Sequence, residues 1–198
     1  MTNYFTGDWE QDSAIMYDIL EQIEFYSGTE RKNMLYVPQK IGGSMLYGVT
    51  WKKYLSPEKN REYDADTGLY KTKIYAEHPE LKFVYKEFAN YHFPEFKWSQ
   101  VQMNMNFPCP PHFDSSNIGE SVLCCFGEYK GGCTCLYDDD SKSIMKYDPR
   151  TSPLKFNGAK ILHWVDSIRG KHTRYSLVFF NNNKLTLLKN IDDLSITL

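Results

Sequence analysis

Three residues in the second half of the chain carry metal-holding side chains at spacings that let them share one ion. His112 and Asp114 stand two apart in the run His112-Phe113-Asp114, and side chains two apart on an extended chain project to the same side. One imidazole and one carboxylate can therefore reach a single cation. A third ligand must come from another strand laid alongside, and His163, in the run KILHWV, offers it. Two histidines and a carboxylate on one face leave the other coordination positions open, the arrangement with which non-haem iron(II) oxygenases take a co-substrate and dioxygen together. Just downstream, Arg174-Tyr175-Ser176 puts a guanidinium and a hydroxyl on one face of a strand. A planar fork of donors beside a cation suits a dicarboxylate that needs a bidentate partner. Arg174 and Ser176 are expected to grip the distal carboxylate of 2-oxoglutarate, with its keto-acid end on the iron.

Other candidates for these roles are weaker. His172 competes with His163 but lies two residues from Arg174, which would crowd the metal and the carboxylate grip onto one strand. His78 and His92 fall in or beside a helical region and are not expected as ligands. The cysteines, at 109, 124, 125, 133 and 135, form no paired CxxC of the kind that binds zinc. They read as reduced thiols packed in strands, with Cys133 and Cys135 sharing one strand face.

These residues need a framework, and the sequence proposes one. Residues 12–26 place Ile15, Ile19, Ile23 and Phe25 near one face after an Asp/Ser start, an amphipathic helix with its N-cap. A second helix is expected over 78–91, opened by Pro79 and closed before Phe93-Pro94. Residues 29–75 are rich in Lys, Tyr and Gly and only loosely periodic. From residue 97 onward, short runs of period two alternate with Gly, Pro, Asn and Asp clusters, the pattern of a multi-stranded antiparallel barrel or jelly roll. Turns are expected at Lys130-Gly131-Gly132, Asn157-Gly158 and Arg169-Gly170.

Through His112-x-Asp114, His163 and Arg174-x-Ser176 the chain resembles the 2-oxoglutarate/Fe(II) dioxygenase superfamily over about residues 97–182. Within it, HFDSSNIGESVLCCFGEYKGG looks like the branch containing TET methylcytosine dioxygenases and base J-binding thymine hydroxylases. The shared pattern is HxDxxNxG, then Ser, then a G-x-x-x-G-G turn. That resemblance implies a mostly β fold, a double-stranded β-helix with helices on its outer face, and Fe(II), 2-oxoglutarate and O2 as cofactor and co-substrates. It also implies that Asn117 contacts a flipped base, and that Asn104 and Asn106 belong to a strand touching the co-substrate. The expected organisation is a single dioxygenase domain over 1–198: support and substrate lid over 1–96, β-helix core over 97–182 and a tail over 183–198. The chain departs from better-known members in lacking a cysteine-rich zinc module and a long basic insert.

Bulk properties narrow the partners. Lys and Arg total 23 against 25 Asp and Glu, a net charge of −2, so a polynucleotide would need a local basic patch. The acidic N-terminal residues and the lack of an apolar run of about 20 residues fit an intracellular protein, cytoplasmic or nuclear, with no signal peptide or membrane span. A monomer is assumed. The leading expectation is hydroxylation of the methyl group of 5-methylcytosine or thymine in DNA or RNA, the base being flipped to reach the iron with help from Asn117 and residues 47–75. With Asp114 in place no coordination position is left for halide, so hydroxylation is expected over halogenation. The alternative is a hydroxylase of a peptidyl or small-molecule substrate, which the acidic balance favours. A third reading, a binding module without catalysis, predicts a missing ligand, and none is missing.

Overall fold

A computed structural model describes residues 4–25, 42–50, 63–64 and 69–182. Helix α1 runs Trp9–Glu21, and the side chain of Asp8 caps it by accepting the N–H of Gln11. It thus begins before the expected start at Asp12, because Asp8 and not Asp12 makes the cap. Asp12 lies on the inner face with Met16 and Leu20, spaced by one helical turn each. Ile15 and Ile19 flank that face and are partly buried. Helix α2 is a short turn, Lys73–Glu77, and α3 runs Leu81–His92, burying Leu81, Val84, Tyr85, Phe88 and Ala89.

The strands are β1 (Gly43–Thr50), β2 (Tyr63–Asp64), β3 (Leu69–Lys71), β4 (Gln100–Met105), β5 (Asn117–Phe126), β6 (Lys130–Gly131), β7 (Thr134–Asp138), β8 (Ser143–Tyr147), β9 (Leu154–Phe156), β10 (His163–Val165), β11 (Ile168–Arg169) and β12 (Tyr175–Asn182). Among the described residues they form a large sheet ordered β2-β3-β1-β4-β12-β5-β9, a small sheet β10-β7-β8 and a pair β11-β6. All the pairings are antiparallel. The fold is mostly β, a double-stranded β-helix with helices against its large sheet. Strand β1 comes from the loosely periodic region before residue 97, and it pairs along the full length of β4. No described helix is long and apolar enough to cross a membrane.

Alternation along the central strands separates two environments. Val101 and Met103, Val122, Cys124 and Phe126, and Tyr175, Leu177 and Phe179 turn outward to the helices and join one core with Met16, Leu20, Tyr85 and Phe88. The residues between them, Leu123 and Cys125 with Val178 alongside, face the small sheet and pack with Leu136, Phe156 and Tyr129. A one-residue slip in any of these strands would exchange the two sets.

Asp12 fastens the helical layer. Its side chain is fully buried. It accepts the Thr6 N–H at 2.8 Å, the Thr6 hydroxyl at 2.9 Å and the Gly7 N–H at 2.9 Å, and it pairs with His92 Nε2 at the end of α3 at 2.9 Å. Burial pushes its pKa up, but these donors outweigh burial and hold it below the ordinary carboxylate value. A carboxylate depressed in the folded state contributes stability that is complete above its unfolded pKa of about 3.9 and is lost as pH falls through the folded value. Replacing it with alanine is expected to cost about 3 kcal/mol near neutral pH, since it strands several donors and His92. Thermal unfolding of Asp12→Ala against the parent chain checks this, with the gap narrowing below about pH 4; a gap that is the same at both pH values would contradict it.

Candidate active site

Between the two sheets lies a cavity of about 120 Å³, and His112, Asp114, His163, Arg174 and Ser176 all line it. Backbone bonding brings the three candidate ligands together. His112 and His163 form an isolated antiparallel bridge, each N–H donating to the other's carbonyl, at 3.0 and 3.1 Å. The Asp114 N–H donates to Gly158 O at 2.9 Å. His163 opens β10, as a strand position was expected to do, whereas His112 and Asp114 sit on an extended crossing segment ahead of β5.

The side chains converge. Nδ1 of His163 contacts Ile161 O at 2.9 Å and Nδ1 of His112 contacts Pro110 O at 2.8 Å. A carbonyl oxygen only accepts, so each Nδ1 carries a proton and each Nε2 is the ring atom left to face a metal. Both Nε2 atoms face the same carboxylate, His112 toward Asp114 Oδ1 and His163 toward Asp114 Oδ2, each at 3.5 Å. One ligand atom from each of the three lies within 4.8 Å of the others, the one such cluster among the described residues. Burial opposes a charge on His112, but Asp114 and Cys109 outweigh it and raise its pKa to about 10. Burial likewise works against ionised Asp114, yet His112 and His163 hold it well below the carboxylate range. This local field favours positive charge between the three groups, as a divalent cation requires. The donor set fits iron(II): two imidazoles oriented by carbonyls and one ionised carboxylate, with a bound cation taking the place of the Nε2 proton that this field holds on His112.

Gly158 keeps the pocket open on the carboxylate's side. A Cβ there would stand 2.9 Å from Asp114 Oδ2 and 3.4 Å from His163 Cε1. Asn117 contacts the same carboxylate oxygen, its Nδ2 donating to Asp114 Oδ2 and to Ser121 Oγ at 3.3 Å each. An ionised carboxylate only accepts, so the amide must present its nitrogen to Asp114, and Oδ1 takes no part in that contact.

Arg174 immediately precedes β12 and is 1% exposed. Its Nη1 donates to Ser176 Oγ at 3.2 Å, its Nη2 to Cys125 Sγ at 3.1 Å, and its guanidinium lies 5.5 Å from the centroid of the Tyr129 ring. Gly132 makes room for it, since a Cβ would come within 3.0 Å of Arg174 Cδ. No carboxylate among the described residues forms an ion pair with it, and its Nε is buried without a hydrogen-bond partner. The Thr134 hydroxyl, on the same cavity, is also buried and unpartnered. A buried cation and a buried hydroxyl that the protein leaves unsatisfied fit an anionic ligand, and a carboxylate answers both.

The asparagines divide. Asn104 lines the cavity, accepting from Ser44 Oγ at 2.8 Å and donating to Ser176 Oγ at 3.4 Å. Asn106 is not among the lining residues and bonds the Arg174 backbone instead. His172 is exposed, His78 pairs with Glu80 and His92 with Asp12, so none joins the cluster. All five cysteines are free. Sequence reasoning missed Thr134, Gln102 and Cys125. Gln102 was legible, because it shares strand parity with Asn104; Thr134 needed the β7-β10 pairing to place it.

No model of a known protein family matches the sequence, and no curated protein matches it. Solved structures do match its fold. NgTET1, solved in complex with 5mC DNA, aligns with a TM-score of 0.53 at 15% identity, covering 95% of this chain and 76% of that one. A Pseudomonas putida prolyl-4-hydroxylase gives 0.45 at 10% identity, covering 92% and 91%. The viral collagen prolyl hydroxylase vCPH of Paramecium Bursaria Chlorella virus-1, in a 2OG complex, gives 0.38 at 9% identity, covering 91% and 92%. The chain thus shares its fold, a double-stranded β-helix, with NgTET1.

The geometry around Gly158 yields a direct test. Gly158→Ala is expected to weaken Mn(II) binding by about ten-fold, the scale of losses next to metal ligands. Calorimetric titration of the variant against the parent chain reads this; equal affinities would show that the carboxylate does not need the space.

Proposed function

We propose that this chain is an Fe(II)- and 2-oxoglutarate-dependent oxygenase that hydroxylates a C–H bond, with His112, Asp114 and His163 as metal ligands and Arg174 and Ser176 holding the co-substrate. The observation that carries this reading is a buried guanidinium without a carboxylate partner among the described residues, on the cavity where two histidine Nε2 atoms face one carboxylate. When bound, iron(II) and 2-oxoglutarate supply oxidation of the C–H bond by O2, with the co-substrate leaving as succinate and carbon dioxide. The protein's own part is to position and to exclude water. Ile161 O and Pro110 O fix the histidine tautomers, and Asn117 orients Asp114. Arg174 and Ser176 give a diacid one polarity in the cavity, with Asn104 steadying the Ser176 hydroxyl and Thr134 offering a further donor. Leu123, Phe156, Val178 and Phe180 wall the cavity with apolar surface. The whole chain acts as one domain, residues 97–182 carrying the chemistry and 1–96 supporting and covering it.

The substrate reading is the methyl group of a pyrimidine base in DNA or RNA. Its supports are the HxDxxNxG pattern and a shared fold with a protein solved on 5mC DNA. Because Asn117 spends its amide nitrogen on Asp114 and Ser121, it offers the substrate an acceptor. Beside its 5-position cytosine carries an amino donor, whereas thymine carries a carbonyl acceptor. Asn117 therefore favours 5-methylcytosine of the two. Most of the segment 47–75 expected to assist lies outside the described residues. A net charge of −2 supports the second reading, a peptidyl or small-molecule hydroxylase.

The test is incubation with Fe(II), 2-oxoglutarate and oligonucleotides containing 5-methylcytosine or thymine, followed by nucleoside mass spectrometry. The expected product is 5-hydroxymethylcytosine, absent with His112→Ala. Arg174→Ala is expected to raise the 2-oxoglutarate requirement about 30-fold or more, the scale for truncating one side of a buried charged contact. Succinate formed with a peptide and with no nucleic acid would transfer the reading to the alternative; no succinate with any substrate would reject both.

A further inference from the structure

Asn106 sits where strand β4 ends, and its backbone adopts the left-handed conformation, φ 45°. We infer that Asn106 is a positioning residue for Arg174: its side-chain carbonyl replaces the backbone acceptor that β4 ceases to supply where the chain leaves the large sheet to carry His112 across to the small one. The role rests on the co-substrate reading of Arg174 above.

Register makes the substitution visible. Strands β4 and β12 pair from Gln100 with Phe180 down to Met105 with Tyr175, so the next pair in the ladder is Asn106 with Arg174. One bond of that pair is ordinary, the Asn106 N–H donating to Arg174 O at 2.8 Å. The reciprocal bond is not. The Arg174 N–H donates at 2.8 Å to Asn106 Oδ1, a side-chain atom. The positive φ has turned the Asn106 carbonyl away, toward Gly42, where a Cβ would come within 2.8 Å of that oxygen. Asparagine suits the position on two grounds, since it tolerates the left-handed region better than most residues and its short amide reaches nearby backbone.

The route of the chain beyond β4 requires the turn at this position. Past Asn106 the chain crosses to β10, where Cys109 O accepts the Val165 N–H at 3.0 Å and His112 bridges His163. An unturned β4 would continue along β12 and deliver no ligand to the small sheet. A turn without a replacement acceptor would leave the Arg174 N–H unpaired, on a residue whose buried guanidinium has no ion pair among the described residues. Asn106 resolves both demands, and its absence from the cavity lining means that its effect on a ligand passes through Arg174.

Three variants separate the acceptor from the turn: Asn106→Gly keeps the backbone freedom and loses the acceptor, Asn106→Asp keeps both, and Asn106→Ala loses both. Calorimetry on Mn(II)-loaded protein reads 2-oxoglutarate affinity, a separate titration reads Mn(II) affinity, and thermal unfolding confirms that each variant folds. Asn106→Gly is expected to bind 2-oxoglutarate about ten-fold more weakly, as loss of one buried hydrogen bond implies, with Mn(II) affinity unchanged. Asn106→Asp should restore the parent value. The role is overturned if Asn106→Gly binds like the parent chain, if Asn106→Asp is as weak as Asn106→Gly, or if Mn(II) and 2-oxoglutarate affinities fall together. A parent chain that binds Mn(II) but no 2-oxoglutarate would instead reject the co-substrate reading, and this role with it.

Discussion

A positive charge enclosed in protein without an opposite charge is the constraint on which the site depends. Arg174 is shut away from solvent, and its direct partners are a hydroxyl, a thiol and an aromatic face, all neutral. Asp148, whose carboxylate feels the Arg174 charge, is committed to Arg150 through a bidentate contact. Burying a guanidinium under these terms disfavours folding, and the penalty is relieved by an anion that occupies the cavity. Stability and ligand occupancy are therefore linked through this side chain. In the metal cluster an ionised carboxylate stands between two imidazoles, a field that favours positive charge and that a bound cation satisfies. A single ligand with carboxylates at both ends, one on a metal and one on Arg174, satisfies the two together.

Strand alternation is what allows such a site to exist beside an apolar core. In β12, Tyr175, Leu177 and Phe179 commit to the helical layer, and the intervening Ser176 and Val178 face the cavity. Strand β4 does the same with Val101 and Met103 outward and Gln102 and Asn104 inward. The outer residues anchor the strands by burial, of the order of 2 kcal/mol for each large apolar side chain. That anchoring fixes the inner polar residues in register without their own interactions having to do so. Helices α1 and α3 complete the arrangement, and Asp12 locks them to each other through His92.

Much of the site was legible because its signals are local. His112 and Asp114 two apart, and Arg174 and Ser176 two apart, project together in any extended chain, and the structure places all four on one cavity. The β pattern from residue 97 onward came from period-two alternation. Other features depended on distant contacts that no spacing encodes. Strand β1 was missed because its partner β4 lies nearly sixty residues away in the chain, with Met45 pairing Met103. The start of α1 was misplaced because Asp8 and Asp12 are both acceptable caps locally, and only burial against Thr6, Gly7 and His92 distinguishes them. Asn106, which the resemblance groups with Asn104, bonds the Arg174 backbone, since a left-handed turn at the strand end breaks the alternation that would link the two.

The most direct measurement is optical and needs no substrate. An iron(II) centre chelated by a 2-oxo acid develops visible charge-transfer absorption, which neither component gives alone. Under anaerobic conditions the band should appear when Fe(II) and 2-oxoglutarate are both added to this protein, and it should be absent with glutarate, which lacks the keto group. No band with Fe(II) and 2-oxoglutarate together, in protein shown to be folded, would contradict a cavity built to hold both.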